Sequence, residues 1–135
     1  MAAVPEGLEG LRIYQLAEEL ADAVWDEVLS WSPFPRDTLG RQLVDAADSV
    51  RGNIAEGYGR YHYRDNRQFQ YYARGSLFEA RHWLRRARKR DLLSNDRFNE
   101  LAARVEALAP QLNAYIRTLG RKSKSGTRTR GSEEP

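Results

Sequence analysis

The segment SNDRFNELAARVEALAPQLNAYIRTLG, residues 94–120, carries the clearest structural signal in the chain. Its apolar residues recur at steps of three and four, which is the period of an α-helix with one buried side. Ser94 is predicted to cap the N-terminus of this helix, and Asp96 in the first turn favours the helix dipole. Pro110 is predicted to kink the helix, because proline lacks the amide hydrogen that helical bonding uses. The apolar stripe consists of Phe98, Leu101, Val105, Leu108, Leu112, Tyr115 and Leu119.

Three earlier segments show the same helical period, and no segment alternates at period two as a half-buried strand would. The first is ended by the Ser-Pro-Phe-Pro run at residues 32–35, and the second fades at Gly57 and Gly59. The third is predicted to begin at Asp65, whose carboxylate would form a capping box with Gln68. The three stripes are Ile13, Ala17, Leu20, Val24, Val28 and Trp31; Leu39, Leu43, Ala46, Val50 and Ile54; and Phe69, Ala73, Ser76, Ala80, Trp83 and Ala87.

Four helices joined by short loops predict an all-α fold, an antiparallel up-down-up-down four-helix bundle over residues 1–119. Residues 120–135 offer no apolar side chain for burial, so they are predicted to form a flexible basic tail. The sequence contains neither a signal-peptide pattern nor an uncharged run long enough to cross a bilayer. We therefore expect a cytoplasmic protein with no membrane partner.

The residue types that carry much of protein chemistry are scarce, since the chain has no Cys and two His. This excludes disulfides, thiol nucleophiles and cysteine-based metal centres, and it leaves little for a histidine-only site. Glu79 and His82 form one Glu-x-x-His pair, whereas a di-iron bundle site needs two such pairs and two further glutamates. No phosphate-binding loop or nucleophile elbow occurs in the sequence. We expect no catalytic residue, no metal and no cofactor, and a metal-dependent bundle enzyme is the least favoured alternative.

Charge is distributed unevenly between the first and third helices. The chain carries 22 Lys and Arg against 19 Asp and Glu. Residues 8–31 hold one Arg and six acidic residues, whereas residues 61–90 hold nine basic and two acidic residues. In an up-down-up-down bundle these two helices are diagonal, so they cannot easily neutralise each other within one subunit. A head-to-tail contact between copies would bring them together, and such a contact can close into a ring.

One face of the third helix combines arginines with aromatic residues at steps of three and four. Like charges one turn apart repel each other, so a partner with negative charge would stabilise this face. Guanidinium and aromatic groups suit phosphate contacts and base stacking, and they equally suit a subunit interface. A plain solvated face is the third interpretation, because arginine stems cover apolar surface well. The face consists of Arg64, Arg67, Tyr71, Arg74, Phe78, Arg81, Arg85 and Arg88.

A further pattern lies in the second and third helices, in the runs NIAEGYGR at residues 53–60 and RGSLFE at residues 74–79. It resembles the four-helix-bundle proteins encoded in intervening sequences of 23S ribosomal RNA genes, and the resemblance covers residues 8–119. Asp48 and Arg51-Gly52 depart from the family pattern, in which small or apolar residues and a proline are common. These departures bear on the surface of the second helix and not on the fold. The other matching positions are Gln42, Leu43, Ala46, Ala47, Ser49, Val50, Phe69 and Tyr72.

The resemblance implies a four-helix subunit that assembles into a homopentameric ring and has no established enzymatic activity. A related group, the accessory variability determinants of diversity-generating retroelements, is similar in fold and serves as a basic pentameric partner of a reverse transcriptase. By that analogy, Arg60 and the arginines of the third helix are assigned to contact with RNA, DNA or a reverse-transcriptase-like protein. We expect a non-enzymatic oligomeric protein that binds nucleic acid or a nucleic-acid-handling protein. The alternative is a pure assembly protein whose arginines make subunit contacts.

Asn53, Glu56 and Arg60 share one helical face at spacings of three and four. We expect Glu56 to accept a hydrogen bond from Arg60, and Asn53 to bond nearby backbone or side-chain groups. Gly57 and Gly59 indicate close packing or a helix end at this point. These residues are predicted to fix the corner between the second and third helices, with ligand binding as the alternative.

Overall fold

Four long α-helices account for most of this computed structural model, which describes residues 7–125 of the 135-residue chain. A 3₁₀ turn at Gly7–Gly10 precedes the first helix. A helical turn at Pro33–Pro35 and a π-helical turn at Arg36–Gly40 lead into the second helix. No β-strand occurs between residues 7 and 125. The long helices are α1 (Arg12–Leu29), α2 (Arg41–Tyr58), α3 (Tyr63–Lys89) and α4 (Asn95–Lys124).

Each long helix packs against two others, α1 against α2, α2 against α3, α3 against α4 and α4 against α1. The helices α1 and α3 therefore lie diagonally across the bundle, and the short connections between successive helices make neighbours antiparallel. This confirms the predicted all-α, four-helix bundle. The core is apolar and dominated by leucine. Its largest fully buried apolar side chains are Leu20, Leu43, Ile54, Leu77, Leu84, Leu101, Leu108, Leu112, Val24, Val50 and Val105.

One of the two predicted helix caps is confirmed and the other is wrong. Ser94 is the N-cap of α4, and its Oγ accepts a hydrogen bond from the amide of Arg97 at 3.1 Å. Asp65 does not cap α3, because that helix already begins at Tyr63. The amide of Asn66 donates to the carbonyl oxygen of His62 at 3.0 Å, which closes the first turn ahead of Asp65. The Asp65 carboxylate remains in the first turn, where the helix dipole stabilises a negative charge.

The buried side of α3 is rotated from the predicted stripe. Ala73, Ala80 and Ala87 are buried as predicted, whereas Phe69, Ser76 and Trp83 are only half-buried, at the edge next to α2. The positions one residue later are buried in their place. Two apolar stripes on α3 share the same alanines, and packing against α2 and α4 selects the one that buries more leucine. The residues that complete the observed stripe are Gln70, Leu77 and Leu84.

The end of α4 lies beyond the predicted domain boundary at residue 119. The helix continues to Lys124, and Gly120, the first residue of the predicted tail, is buried within it. Basic residues in the last turn complement the negative end of the helix dipole, which favours this continuation. Residues 126–135, the rest of the predicted tail, lie outside the described residues. Pro110 lies inside α4.

Candidate nucleic-acid interface

The predicted basic face of α3 divides into two rows that follow the helix at steps of seven residues. The inner row faces α4 and is half-buried, and the outer row is exposed to solvent. A step of seven is close to two helical turns, so each row keeps its own direction along α3. The inner row contains Arg67, Arg74, Arg81 and Arg88, and the outer row contains Arg64, Tyr71, Phe78 and Arg85.

Three arginines of the inner row are bonded to α4. Their guanidinium groups reach across the groove between the two helices, and the aliphatic parts of their side chains cover apolar surface. These contacts tie α3 to α4 and leave less of each positive charge available to an external ligand. The bonded atoms are Arg74 Nη1 with Asn113 Oδ1 at 3.2 Å, Arg81 Nη2 with Glu106 Oε1 at 3.2 Å, and Arg88 Nε with Asn95 Oδ1 at 2.6 Å.

The two aromatic residues of the outer row are held by arginines of the inner row. The Arg74 guanidinium lies over the Tyr71 ring at 4.9 Å from its centre, and the Arg81 guanidinium lies over the Phe78 ring at 5.2 Å. Such cation–π contacts fix the ring orientation at the surface. Tyr71 stays 39% exposed and Phe78 stays 52% exposed, so both rings remain accessible for stacking.

Several cations on this side of the bundle have no acidic partner. On α3, Arg64, Arg67 and Arg85 form no ion pair with another residue between 7 and 125. The last part of α4 brings three further cations to the same side. Two of them lie in the predicted tail, and the third lies in the predicted fourth helix but outside the predicted site. Their spacing of four and three residues was the available signal, since it puts them on one helical face. These additional residues are Arg117, Arg121 and Lys124.

The corner between α2 and α3 is held by the residues of the NIAEGYGR run. Arg60 Nη2 donates to Glu56 Oε1 at 2.8 Å, and the Arg60 guanidinium lies over the Phe69 ring at 4.6 Å. Asn53 Nδ2 donates to the carbonyl oxygen of Ser49 at 2.8 Å. Gly59 is the C-cap of α2. The Arg60 contacts connect the end of α2 with α3 and place Arg60 at the same end of the bundle as the start of α3, whereas the Asn53 bond lies within α2.

Gly57 makes room for a buried polar network that the sequence pattern did not predict. Gln70 Nε2 donates to Asn66 Oδ1 at 2.8 Å and to the carbonyl oxygen of Ile54 at 3.2 Å. Asn66 Nδ2 in turn donates to Tyr115 Oη at 3.0 Å, which links α3 to α4. A Cβ atom at Gly57 would lie 2.6 Å from Gln70 Nε2 and 2.7 Å from Asn66 Oδ1. The glycine is therefore required by close packing of α2 on α3.

The acidic residues of α1 are partly neutralised by the adjacent helices and not by α3. The helices α2 and α4 supply one arginine each to the closest pairs, as expected from the diagonal placement of α1 and α3. Asp22 and Asp26 form no ion pair with another residue in the described range. The closest pairs are Glu18 Oε2 with Arg51 Nη2 at 3.3 Å and Glu27 Oε1 with Arg97 Nε at 2.9 Å.

Negative charge accumulates where α1 meets α2. The pKa of the Asp48 carboxyl group is raised above its ordinary value, first by partial burial and then by the nearby charges of Asp45 and Asp22, and Arg51 only partly opposes this effect. A raised carboxyl pKa means that the folded protein disfavours the ionised form. The α1–α2 side is thus acidic, whereas the α3–α4 side is basic.

The Glu-x-x-His pair of α3 contacts a neighbouring tryptophan. Glu79 Oε2 accepts a hydrogen bond from Trp83 Nε1 at 3.2 Å, and the His82 ring lies edge-on to the Trp83 ring at 4.7 Å. Among the described residues, no three His, Asp or Glu side chains are grouped in a way that could hold a metal ion. No helix within residues 7–125 is both long enough and apolar enough to cross a membrane.

Comparisons with known proteins place this bundle in a family. The family model of the 23S rRNA-intervening sequence protein matches residues 9–114. The fold is similar to a solved structure from Bacteroides thetaiotaomicron, described as a protein with unknown function from the S23 ribosomal protein family. The two share 15% identity and a TM-score of 0.70, with 77% of this chain and 97% of that chain covered, and this likeness shows the fold alone. A sequence comparison with curated proteins finds no significant match. Because the family match extends over most of the chain, the protein belongs to the 23S rRNA-intervening sequence protein family.

Proposed function

We propose that this protein is a non-enzymatic, ring-forming bundle protein whose basic α3 face binds nucleic acid. The observation that carries the proposal is the pairing of each exposed ring of the outer row, Tyr71 and Phe78, with an arginine of the inner row. Accessible aromatic rings next to guanidinium groups suit base stacking beside phosphate contacts. The exposed Arg64 and Arg85 of the outer row lie on the same side and form no ion pair with another described residue.

The ring component of the proposal rests on exposed apolar residues of the α1–α2 side, away from the basic α3 face. A head-to-tail contact between this side and a surface of the next copy outside the α3 face can close a ring and leave the α3 face open to nucleic acid. Trp25, Leu29 and Phe34 on the α1–α2 side are 52%, 58% and 79% exposed, and such residues are enriched where subunits meet. Family resemblance favours five subunits.

A direct test is a binding titration with a fluorescein-labelled oligouridylate of about 20 nucleotides, followed by anisotropy between about 50 and 200 mM salt. For roughly four phosphate contacts, the logarithm of the association constant should fall against the logarithm of salt with a slope of about −3. An affinity that does not respond to salt, or the absence of binding in dilute buffer, would remove nucleic acid from the proposal.

The stacking contribution is tested by replacing Phe78 with alanine. Loss of one stacked base corresponds to about 1–3 kcal/mol, which is roughly a 5- to 150-fold weaker affinity. Tyr72→Ala is the matched control, since Tyr72 is also 52% exposed but lies on the α2 side of α3, away from the basic rows. Equal losses in both variants would show that the outer row has no special part in binding.

The second candidate function is a pure assembly protein in which neighbouring subunits occupy the α3 face. The exposed rings of Tyr71 and Phe78 favour it, because subunit interfaces bury aromatic residues beside arginines. Under this hypothesis Phe78→Ala lowers the mass measured by light scattering, and the wild-type protein does not bind the oligouridylate. A monomer at every concentration would contradict both the ring and the assembly function.

A further inference from the structure

A surface pocket of about 300 Å³ lies between the first part of α3 and the last part of α4. Its lining includes no acidic residue but four cations, and the side chain of Tyr71 forms part of its wall. We propose that this pocket binds a backbone phosphate of a single-stranded nucleic acid, with Tyr71 placed to stack a neighbouring base. The cations are Arg67, Arg117, Arg121 and Lys124.

Arg67 differs from the other members of the inner row. The other three arginines each bond to a side chain of α4, whereas the side chain of Arg67 makes no hydrogen bond or ion pair with any residue in the described part of the chain. Four positive charges around one concave space repel each other unless an anion screens them. A pocket of this composition therefore favours an anionic ligand.

Compensation of the helix dipole explains only part of this cluster. Arg121 and Lys124 lie in the last turns of α4, where positive side chains are favoured by the helix dipole. Arg117 lies about two turns before the end of α4, and Arg67 belongs to a different helix. The dipole has little effect at those two positions. An anionic ligand would explain why these two arginines line the same pocket.

Gly120 allows Arg67 to lie against α4. A Cβ atom at this position would be 3.0 Å from Arg67 Nη1, so a side chain at residue 120 would push the guanidinium away by a few tenths of an ångström. Glycine is a poor helix former, and Gly120 lies within α4. The placement of Arg67 provides a reason for a glycine at this buried site.

The chemistry of the lining selects a phosphate of a nucleic-acid strand. Guanidinium groups recognise phosphate oxygens through paired hydrogen bonds, and Arg67, Arg117 and Arg121 present three such groups to one space. Tyr71 lines the same pocket and keeps 39% of its surface exposed, which suits an unstacked base of a single strand. This inference rests on the proposed function, since it assigns one phosphate subsite to the basic face.

The first experiment compares two triple variants in the oligouridylate titration. One replaces Arg67, Arg117 and Arg121 with glutamine, and the control replaces three arginines on the α1–α2 side, so both variants lose the same charge. The pocket variant should bind at least about tenfold more weakly than the control, and its salt slope should be smaller by about 0.7 for each phosphate that it no longer binds. Circular dichroism checks that both variants stay helical. The control residues are Arg12, Arg36 and Arg41.

A second variant, Gly120→Ala, adds a methyl group to the pocket wall against Arg67 without changing the net charge. It should weaken oligouridylate binding severalfold while the melting temperature stays equal or rises, because alanine favours the helix. If Arg67 had only a structural role, the variant would not lose affinity for the oligouridylate while keeping its melting temperature. Unchanged affinity in this variant would overturn the assignment of Arg67.

The outcomes separate the pocket from the proposed function. If the wild-type protein fails to bind the oligouridylate, the proposed function and the pocket assignment both fail. If the wild-type protein binds but the pocket and control variants lose affinity equally, binding by the basic face remains supported and the assignment of the phosphate to this pocket is wrong. Titration with uridine 5′-monophosphate distinguishes a strand from a free nucleotide. Binding of the monophosphate as tight as that of the oligonucleotide would overturn the strand assignment.

Discussion

Replacing Gly57 with alanine introduces a methyl group where α2 and α3 are in closest contact. The added Cβ atom would lie 2.6 Å from Gln70 Nε2, 2.7 Å from Asn66 Oδ1 and 2.9 Å from the backbone oxygen of Asn66. The backbone oxygen belongs to α3 and cannot swing aside as the end of a side chain can. The helices must therefore separate locally, or Gln70 must leave its position in the core.

Both responses lower the free energy of unfolding. Forcing one extra methyl group into a packed interior costs about 1–3 kcal/mol. Displacing Gln70 also breaks buried hydrogen bonds to Asn66 and to the carbonyl oxygen of Ile54, at a cost of about 1–3 kcal/mol. The higher helix propensity of alanine offsets at most about 1 kcal/mol of this loss. The net loss is about 2–4 kcal/mol, which lowers the melting temperature on the order of 10 °C for a domain of this size.

Thermal and urea denaturation followed by circular dichroism at equal protein concentration measure this effect. Gly52→Ala in the same helix is the matched control, because nothing lies within 4 Å of a Cβ atom placed there. That control should be neutral or more stable by up to about 1 kcal/mol. If Gly57→Ala proved as stable as the wild type, close packing at the α2–α3 corner would not be the reason for this glycine.

Two further stability predictions concern ionised side chains. Replacing Arg97 with glutamine should lower the free energy of unfolding by about 1–2 kcal/mol, since its 2.9 Å pair with Glu27 is largely shielded from water. Exposed Arg36→Gln should change it by less than about 0.5 kcal/mol in the same urea titration, and equal effects would contradict the reasoning. Replacing Asp48 with asparagine should raise the melting temperature at neutral pH, because burial raises the pKa of this carboxyl and its ionised form weakens folding. The gain in melting temperature should disappear as the pH falls through the raised pKa. Asp26→Asn is the control for the removed charge. A gain that grew in acid would contradict the expectation that the ionised form of Asp48 weakens folding.

Local contacts were predictable because they connect residues one helical turn apart. The pair of Glu56 with Arg60 and the cap at Ser94 both form, since their geometry depends on a single helix and its end. The wrong cap at Asp65 marks the limit of such reasoning. The start of α3 depends on where the chain leaves α2, and near that point Gly57 packs closely against Asn66 and Gln70 of α3, which are not its neighbours in sequence.

The candidate site shows the same limit. Spacing alone put six arginines of α3 on one face, but the residues of the adjacent helix decide which of these arginines have bonding partners. Arg81 meets Glu106 because α4 runs beside α3 in the opposite direction, and for the same reason Arg67 meets Gly120 and Arg117. Such partners lie far apart in the chain, and their meeting depends on the register between two helices.

The amino-acid sequence alone was sufficient to establish four amphipathic helices, their order and the uneven charge of α1 and α3, because apolar period, local caps and charge counts are properties of consecutive residues. Only the tertiary structure decided the rotation of α3, the burial of Gln70 and the grouping of the cations at the end of α4. Two stripes on α3 share the same alanines, so its rotation was settled by the contacts that buried Leu77 and Leu84 between neighbouring helices.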